Sequence, residues 1–221
     1  MQIFDFSVFS NVGGILYILK GAWYTLLLTF LSIGIGFLVG SLFAFCEVYL
    51  PSPFSFPFRA IGEILRGIPL LVFFLLLYFG LRLDMFTSAI LGLGLRSAAY
   101  QAQIFRSSLE AINPGQLYAA LSIGMTKFQV FREILLPQTI RIMIPGWSNE
   151  FITVLKDTSI AFVLGFSDLM TRADLISRSV GRYFEIYIFI ALVYFLLVRL
   201  STFALNRVYE RIRIPGLGEK R

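Results

Sequence analysis

Apolar residues in this chain come in long blocks, with polar and charged residues gathered between them. Five blocks are long enough to cross a bilayer as helices: roughly 22–46, 65–81, 85–104, 142–165 and 186–206. A hydrocarbon core of about 30 Å takes about 20 helical residues at about 1.5 Å each. The pattern therefore predicts an all-α integral membrane bundle of five spans, with 11–21 as an interfacial lead-in to the first. The third and fourth spans are the weaker ones, because Arg96, Gln101, Gln103, Asn149, Glu150, Lys156 and Asp157 interrupt them. PSPFSFPF at 51–58 holds three prolines in seven residues, a density that breaks helices, and reads as a loop. No repeat, linker or second domain is visible, so 1–221 reads as one transmembrane domain.

Lys and Arg in the connections set the orientation. Alternate connections place eleven of them on one side and five on the other, so the richer side is cytoplasmic. The N-terminus is then outside and the C-terminus inside. Three arginines in the outer loop at 166–184 work against that assignment. The first residues, MQIFDFSVF, carry no basic run and no small-residue cleavage site, so no removable signal peptide is expected.

Composition sharpens this picture. The chain is 57% hydrophobic and 14% charged, where a soluble domain is about a quarter charged. It contains no His, which excludes any His-based catalytic or metal site. Cys46 is alone, permits no internal disulfide and reads as inert packing. The net charge of +6 comes from residues flanking apolar blocks rather than from a basic face, so it marks topology and not nucleic-acid binding.

One segment does not fit lipid. Residues 107–141 form the longest cytoplasmic connection and contain QLYAALSIGMTKFQVFREILLP at 116–137. NPG at 113–115 opens it as a turn and helix start, and Pro137 closes it. Leu117, Leu121, Gly124, Phe128 and Phe131 recur at three- and four-residue spacing, one face of a helix or of two short helices hinged at Gly124. Such a segment can lie on lipid headgroups, cover its own bundle, or dock into a groove of a partner protein.

The spacing within that segment carries a resemblance. Tyr118-Ala119-Ala120, three residues, Gly124, nine residues, then Ile134-x-Leu136-Pro137 resembles the EAA loop of ABC-importer permeases. LRGIPLLVF at 65–73, SAAYQAQIFRSSLEAINPGQ at 97–116 and NEFITVLKDTSIAFVLGFSDL at 149–169 look like the polar amino-acid uptake branch of those type I importers. The resemblance implies that the loop is a coupling helix seated in a cleft of a separate ABC ATPase, with Tyr118, Ala119, Ala120, Gly124, Met125, Phe128 and Pro137 at the contact. Tyr118 departs from the family's Glu, which puts that one pairing in doubt. The family further implies a second permease copy, identical or related, an extracytoplasmic solute-binding protein, an amino-acid substrate and surrounding membrane lipid. No phosphate-binding loop of the form G-x-x-x-x-G-K-[ST] occurs in the chain. No cofactor is expected here; ATP and Mg would be bound by the partner, and the chain itself would be a transport subunit and not an enzyme.

An ionisable group near the bilayer centre costs roughly 2.5–3.5 kcal/mol and calls for a role. Arg96, Tyr100 and Gln103 share one helix face at i, i+4, i+7. On the fourth span Glu150 and Asp157 share a face, Asn149 and Lys156 the adjacent one, and Thr153 lies between. Either Arg96 and Glu150 pair with each other or a neighbour and hold helices together, or these residues line a water-filled pathway. In the second reading Arg96 meets a substrate carboxylate and Glu150 its ammonium. Lys156 and Asp157 sit toward the outer end, at a gate, at a docking surface, or snorkelling to headgroups. Gln103 replaces a Glu found in relatives, which with Arg96 favours a glutamine- or glutamate-like substrate over a cationic one. Gly34, Gly36 and Gly40 are expected to let helices approach closely. Two rival readings are an ion-coupled secondary transporter, against which the lack of a repeat counts, and a membrane scaffold subunit, which leaves Arg96 and Glu150 unexplained.

Overall fold

The structure, a computed structural model, describes residues 12–212. The reading of the first residues as lacking a signal peptide, and the end of the basic tail, lie outside them. Among the described residues every regular element is helical. α1 runs Val12–Tyr49, 38 residues, about 57 Å long. The lead-in expected at 11–21 is thus no separate element. The glycines there are compatible with a helix, and nothing stops the first span's hydrogen-bond ladder from extending back to Val12.

The proline-rich stretch is a correction. It is not a loop but the start of α2, Ser52–Gly67. Pro51 precedes the helix and Pro53 sits in its first turn, where the missing N–H would have had no partner. Only Pro57 is absorbed within the helix. α2 then ends at Gly67, and Ile68 is extended ahead of Pro69, as a residue before proline prefers. The next helix, α3 (Leu70–Leu75), continues as a π turn to Gly80. The two pieces meet at 104°, so the block expected as one span at 65–81 starts inside a corner. By length and composition α1 and the last helix can each cross a membrane, and the bent pair would make a third crossing if it is one span.

α4, Met85–Glu110, is capped by Asp84, whose Oδ1 accepts from the N–H groups of Phe86 and Thr87 at 3.0 Å each. Its contact with α1 is built on small residues. A Cβ on Gly36 would meet Ser97 at 3.1 Å, and one on Gly40 would lie 2.6 Å from the Ala98 carbonyl. Gly94 faces Ile35 and Ser32 in return. Gly34, expected in the same stripe, faces open space.

After α5 (Pro114–Ser122) comes a continuous rod: α6 (Lys127–Val130), a π turn at Phe131–Leu135, and α7 (Leu136–Asp157). Pro137 therefore does not close the segment. The Leu136 N–H reaches back to the Phe131 carbonyl, five residues away, and this wide turn carries the helix through the proline. The fourth expected span thus begins ten or more residues earlier than its apolar block, inside the stretch expected as loop. A 3-10 turn, Thr158–Leu164, ends at Gly165. α8 (Leu169–Val180) and α9 (Tyr183–Ile212) complete the fold. The main core gathers Leu28, Phe74, Leu93, Phe151 and Leu155 from α1, α3, α4 and α7. A second cluster packs Ile18 of α1 against Leu169 and Ala173 of α8 and Ile186 and Ile190 of α9.

Candidate functional site

Two charged centres sit on the α4–α7 side of the bundle, and the turn at Gly124 lies beside one of them. The first centre joins the middle of α4 to the end of α7. The Arg96 guanidinium contacts Asp157 Oδ2 at 2.5 Å and lies 5.3 Å from the Tyr100 ring centroid. Both charged side chains are about one-fifth exposed, so they look onto open space while still packed. Glu150, two turns before Asp157 on the same face, is buried and lies against Ser97. The partner of Arg96 is therefore Asp157; the adjacent Lys156 points elsewhere and is exposed.

Beneath this centre runs a polar layer in which only Gln101 stood out in the sequence, as an interruption of the third expected span. The Trp147 indole donates to Gln101 Oε1 at 2.9 Å. Gln101 Nε2 donates to Ser97 Oγ at 3.1 Å and to the Ile33 carbonyl at 3.3 Å. One buried amide thus ties α1, α4 and α7 together with both donors placed and its oxygen engaged. Its sequence signal was a Gln within a helix of small apolar residues.

The remaining expected pathway residues divide between other faces. Gln103 is exposed, one turn beyond Tyr100. Asn149 lines a separate cavity of about 330 Å³ with Ser148, Thr202, Asn206 and Tyr209, between α7 and α9. Thr153 donates back to the Asn149 carbonyl at 3.0 Å, a bond along its own helix. The structure thus brings Arg96, Tyr100, Glu150 and Asp157 together and leaves Gln103, Asn149 and Lys156 apart from them.

The second centre joins the end of α1 to the end of α4. Glu47, 6% exposed, meets Arg106 at 2.6 Å. Arg59 of α2 donates to the Glu47 carbonyl at 3.3 Å, and Arg66 to the Ala99 carbonyl at 2.8 Å. Glu47 was missed, although an acid inside FAFCEVY is the kind of signal that marked Arg96 and Glu150. Glu47, Arg59 and Arg106 edge a cavity of about 700 Å³ with Leu117, Leu121, Phe131 and Lys127.

That cavity is roofed by the hinge. Asn113 opens α5 by accepting from the Gly115 N–H at 2.8 Å, with Pro114 in the first turn. α5 ends in a Schellman motif: the Met125 N–H bonds the Ala120 carbonyl at 3.2 Å and the Gly124 N–H the Leu121 carbonyl at 3.0 Å. Gly124 holds φ +89°, a left-handed conformation that favours glycine, and a Cβ there would meet nothing within 4 Å. Within this chain its role is conformational rather than close packing. Thr126 then caps the next helix in a capping box with Gln129. Because the chain turns at Gly124, the apolar face expected from 117 to 131 splits. Leu117, Leu121 and Phe131 turn inward, whereas Tyr118, Ile123 and Phe128 are 66%, 80% and 69% exposed. Ala120 is buried and Ala119 exposed.

Comparison with known proteins gives this geometry its setting. Residues 32–214 match the model of the family described as binding-protein-dependent transport system inner membrane component. The chain is 43% identical over 154 residues to the probable amino-acid permease protein YxeN of Bacillus subtilis (strain 168), covering 66% of this chain and 68% of that one. It is 32% identical to the arginine transport system permease protein ArtQ of the same organism, over 95% and 97% of the two chains. Identity to the probable glutamine ABC transporter permease protein GlnM, also from that organism, is 34%, over 88% and 92%. Among solved structures, one described as an amino acid ABC transporter with histidines superposes with a TM-score of 0.89 at 37% identity, covering 95% of this chain and all of that one. An inward-facing methionine ABC transporter shares the fold, with a TM-score of 0.77 at 22% identity over 90% and 98%. This chain belongs to the family of binding-protein-dependent transport system inner membrane components: it is an ABC-importer permease, a transport subunit and not an enzyme.

Proposed function

We propose that the chain moves polar amino acids inward as half of a permease dimer and couples to a separate ATPase through the hinge at 113–137. The proposed topology is five spans with the N-terminus outside and the C-terminus in the cytoplasm. An extracytoplasmic binding protein delivers the substrate, and ATP and Mg bind only to the partner ATPase. Tyr118, Ile123 and Phe128 stand out from the hinge as the apolar prongs that a partner cleft would receive.

The observation that carries the substrate reading is the Arg96–Asp157 pair with Glu150 beside it. One cation and two carboxylates on facing helices complement a zwitterion. Arg96 would turn from Asp157 to a substrate carboxylate, leaving Asp157 and Glu150 for the ammonium. A third carboxylate, from an acidic side chain, would crowd two existing ones. Gln103 adds no charge for a cationic side chain. A neutral polar amino acid of the glutamine type fits this balance best, and several relatives are named as glutamine permeases. The test is uptake in proteoliposomes holding the permease, its ATPase and its binding protein, with labelled glutamine, glutamate and arginine. Glutamine should be preferred, and Arg96→Met should abolish uptake while the complex still assembles. Preference for arginine would overturn the substrate assignment. Unchanged rate and selectivity in Arg96→Met would overturn substrate contact at Arg96.

A further inference from the structure

Three buried side-chain oxygens gather at one joint without a hydrogen-bond partner in the protein: Asp168 Oδ2 and the hydroxyls of Thr171 and Tyr194. The joint lies beyond the end of α7, remote from the hinge. Asp168 is fully buried. Its other oxygen caps α8, accepting from the Thr171 N–H at 2.8 Å. The Tyr194 hydroxyl comes from α9, feels the Asp168 charge, and lies close to the hydroxyls of Thr25 and Thr158 but outside hydrogen-bonding geometry with them. Those two are engaged elsewhere. Thr25 Oγ1 accepts from the Leu169 N–H at 3.2 Å, and Thr158 donates to the Leu155 carbonyl at 2.7 Å. The backbones are also pressed together here: a Cβ on Gly21 of α1 would lie 2.7 Å from Leu169 Cα.

Four elements therefore turn oxygen atoms toward one point, and three of those oxygens lack a well-formed hydrogen bond within the protein, the Thr171 hydroxyl lying beside the Asp168 carboxylate but outside hydrogen-bonding geometry with it. Native interiors satisfy such groups with an ordered water that makes two to four hydrogen bonds. A hard cation takes six or more oxygens, more than this joint offers. We propose that the joint is a buried hydration site: one water accepts from the Tyr194 and Thr171 hydroxyls and donates to Asp168 Oδ2 and Thr25 Oγ1, keying α8 to α1 and α9.

The same joint binds a proton. Burial pushes the Asp168 carboxyl up to about 6 from its usual value near 3.8. The charged group one turn along α8 is Arg172, whose Nε donates to the Ser167 carbonyl at 3.1 Å and whose guanidinium lies over the Tyr17 and Tyr24 rings. α1 presents Thr25, the 3-10 turn Thr158 and α8 Thr171, while α9 presents the Tyr194 phenol. The folded state thus holds the proton more tightly than the unfolded one. The stability this group contributes is complete below the unfolded value and is lost as pH rises through about 6.

Thermal unfolding of the assembled permease in lipid nanodiscs tests both parts, at pH 5 and pH 8, in sodium chloride and in choline chloride. With a bridging water, Tyr194→Phe lowers the unfolding temperature by about 2–4 °C in either salt. Thr171→Val does the same, while Thr171→Ser does not. A dry joint predicts the opposite sign, because deleting an unpartnered buried hydroxyl is neutral or stabilising. A wild-type unfolding temperature that depends on sodium would place a cation there. Either result overturns the hydration site. Asp168→Asn keeps the cap without the charge. It should flatten the fall in unfolding temperature between pH 5 and pH 8, and an unflattened fall would overturn the proton site.

Discussion

Glu47 and Arg106 meet at 2.6 Å across the ends of α1 and α4, fifty-nine residues apart in sequence, with the carboxylate buried. α2 is fastened to the same point through the Arg59 bond to the Glu47 carbonyl. The pair therefore sits where three helices and the hinge cavity converge.

Removing one partner of such a pair strands the other charge. Arg106→Met or Glu47→Ala should each destabilise the fold by about 3 kcal/mol. The double substitution should cost much less than the two combined. A double-mutant cycle by thermal unfolding in detergent checks this, and additive losses would show that the two groups do not act as a pair.

The Arg96–Asp157 pair separates structure from transport. Exchanging the charges, Arg96→Asp with Asp157→Arg, keeps an ion pair between α4 and α7 and should preserve assembly. It should still lower uptake by about tenfold or more, equivalent to about 1.4 kcal/mol or more in the transport barrier. Uptake at the wild-type rate would reduce the pair to a helix fastener.

Gly124 offers a test of conformation against contact. Gly124→Ala forces a Cβ into the left-handed region at a cost of about 1–2 kcal/mol. Gly124→Asn should be milder, since asparagine tolerates that region. Co-purification of the ATPase should fall in the order glycine, asparagine, alanine. Equal retention in all three would mean that the hinge geometry is not what the partner reads.

The small-residue seam makes a sharp internal comparison. Gly40→Ala drives a methyl against the Ala98 carbonyl and should cost about 1–3 kcal/mol. Gly34→Ala faces open space and should be neutral or slightly stabilising, as an alanine in a helix is favoured over glycine. Unfolding midpoints of the two variants read the difference directly.

The elements legible in the sequence were those whose signal is local. Asn113-Pro114-Gly115 states its turn chemistry in three residues, and α1 and α9 are evident from apolar length alone. The features that stayed hidden depended on a partner distant in sequence. Arg96 was matched with Glu150 or a neighbour, and Asp157 was set toward the outer end of its span, yet the contact of Arg96 is Asp157, 61 residues on. Gln101 looked like an interruption of a span, and only the arrival of Trp147 and Ile33 makes it a joint. The prolines at 51–57 misled because proline density was weighed without position. Two of the three fall at a helix start, where proline costs nothing. Pro137 misled for the opposite reason: a π turn upstream absorbs it, and no propensity scale encodes that.

That wide turn at Phe131–Leu135 has a consequence for the length of the chain. A π turn is an α turn with one residue too many. Deleting one residue there would restore an ordinary α turn and leave the rest of the rod at nearly its present angle, whereas a deletion in the α turns that follow would rotate everything beyond it by about 100°. In that second case, with the residue lost before Glu150, Asp157 would be carried off Arg96 and Glu150 off Ser97, although no residue in either contact had been touched. Across a few residues the chain passes from a stretch where its length is negotiable to one where it works like a screw thread, each residue setting the angle at which the rest of the helix leaves.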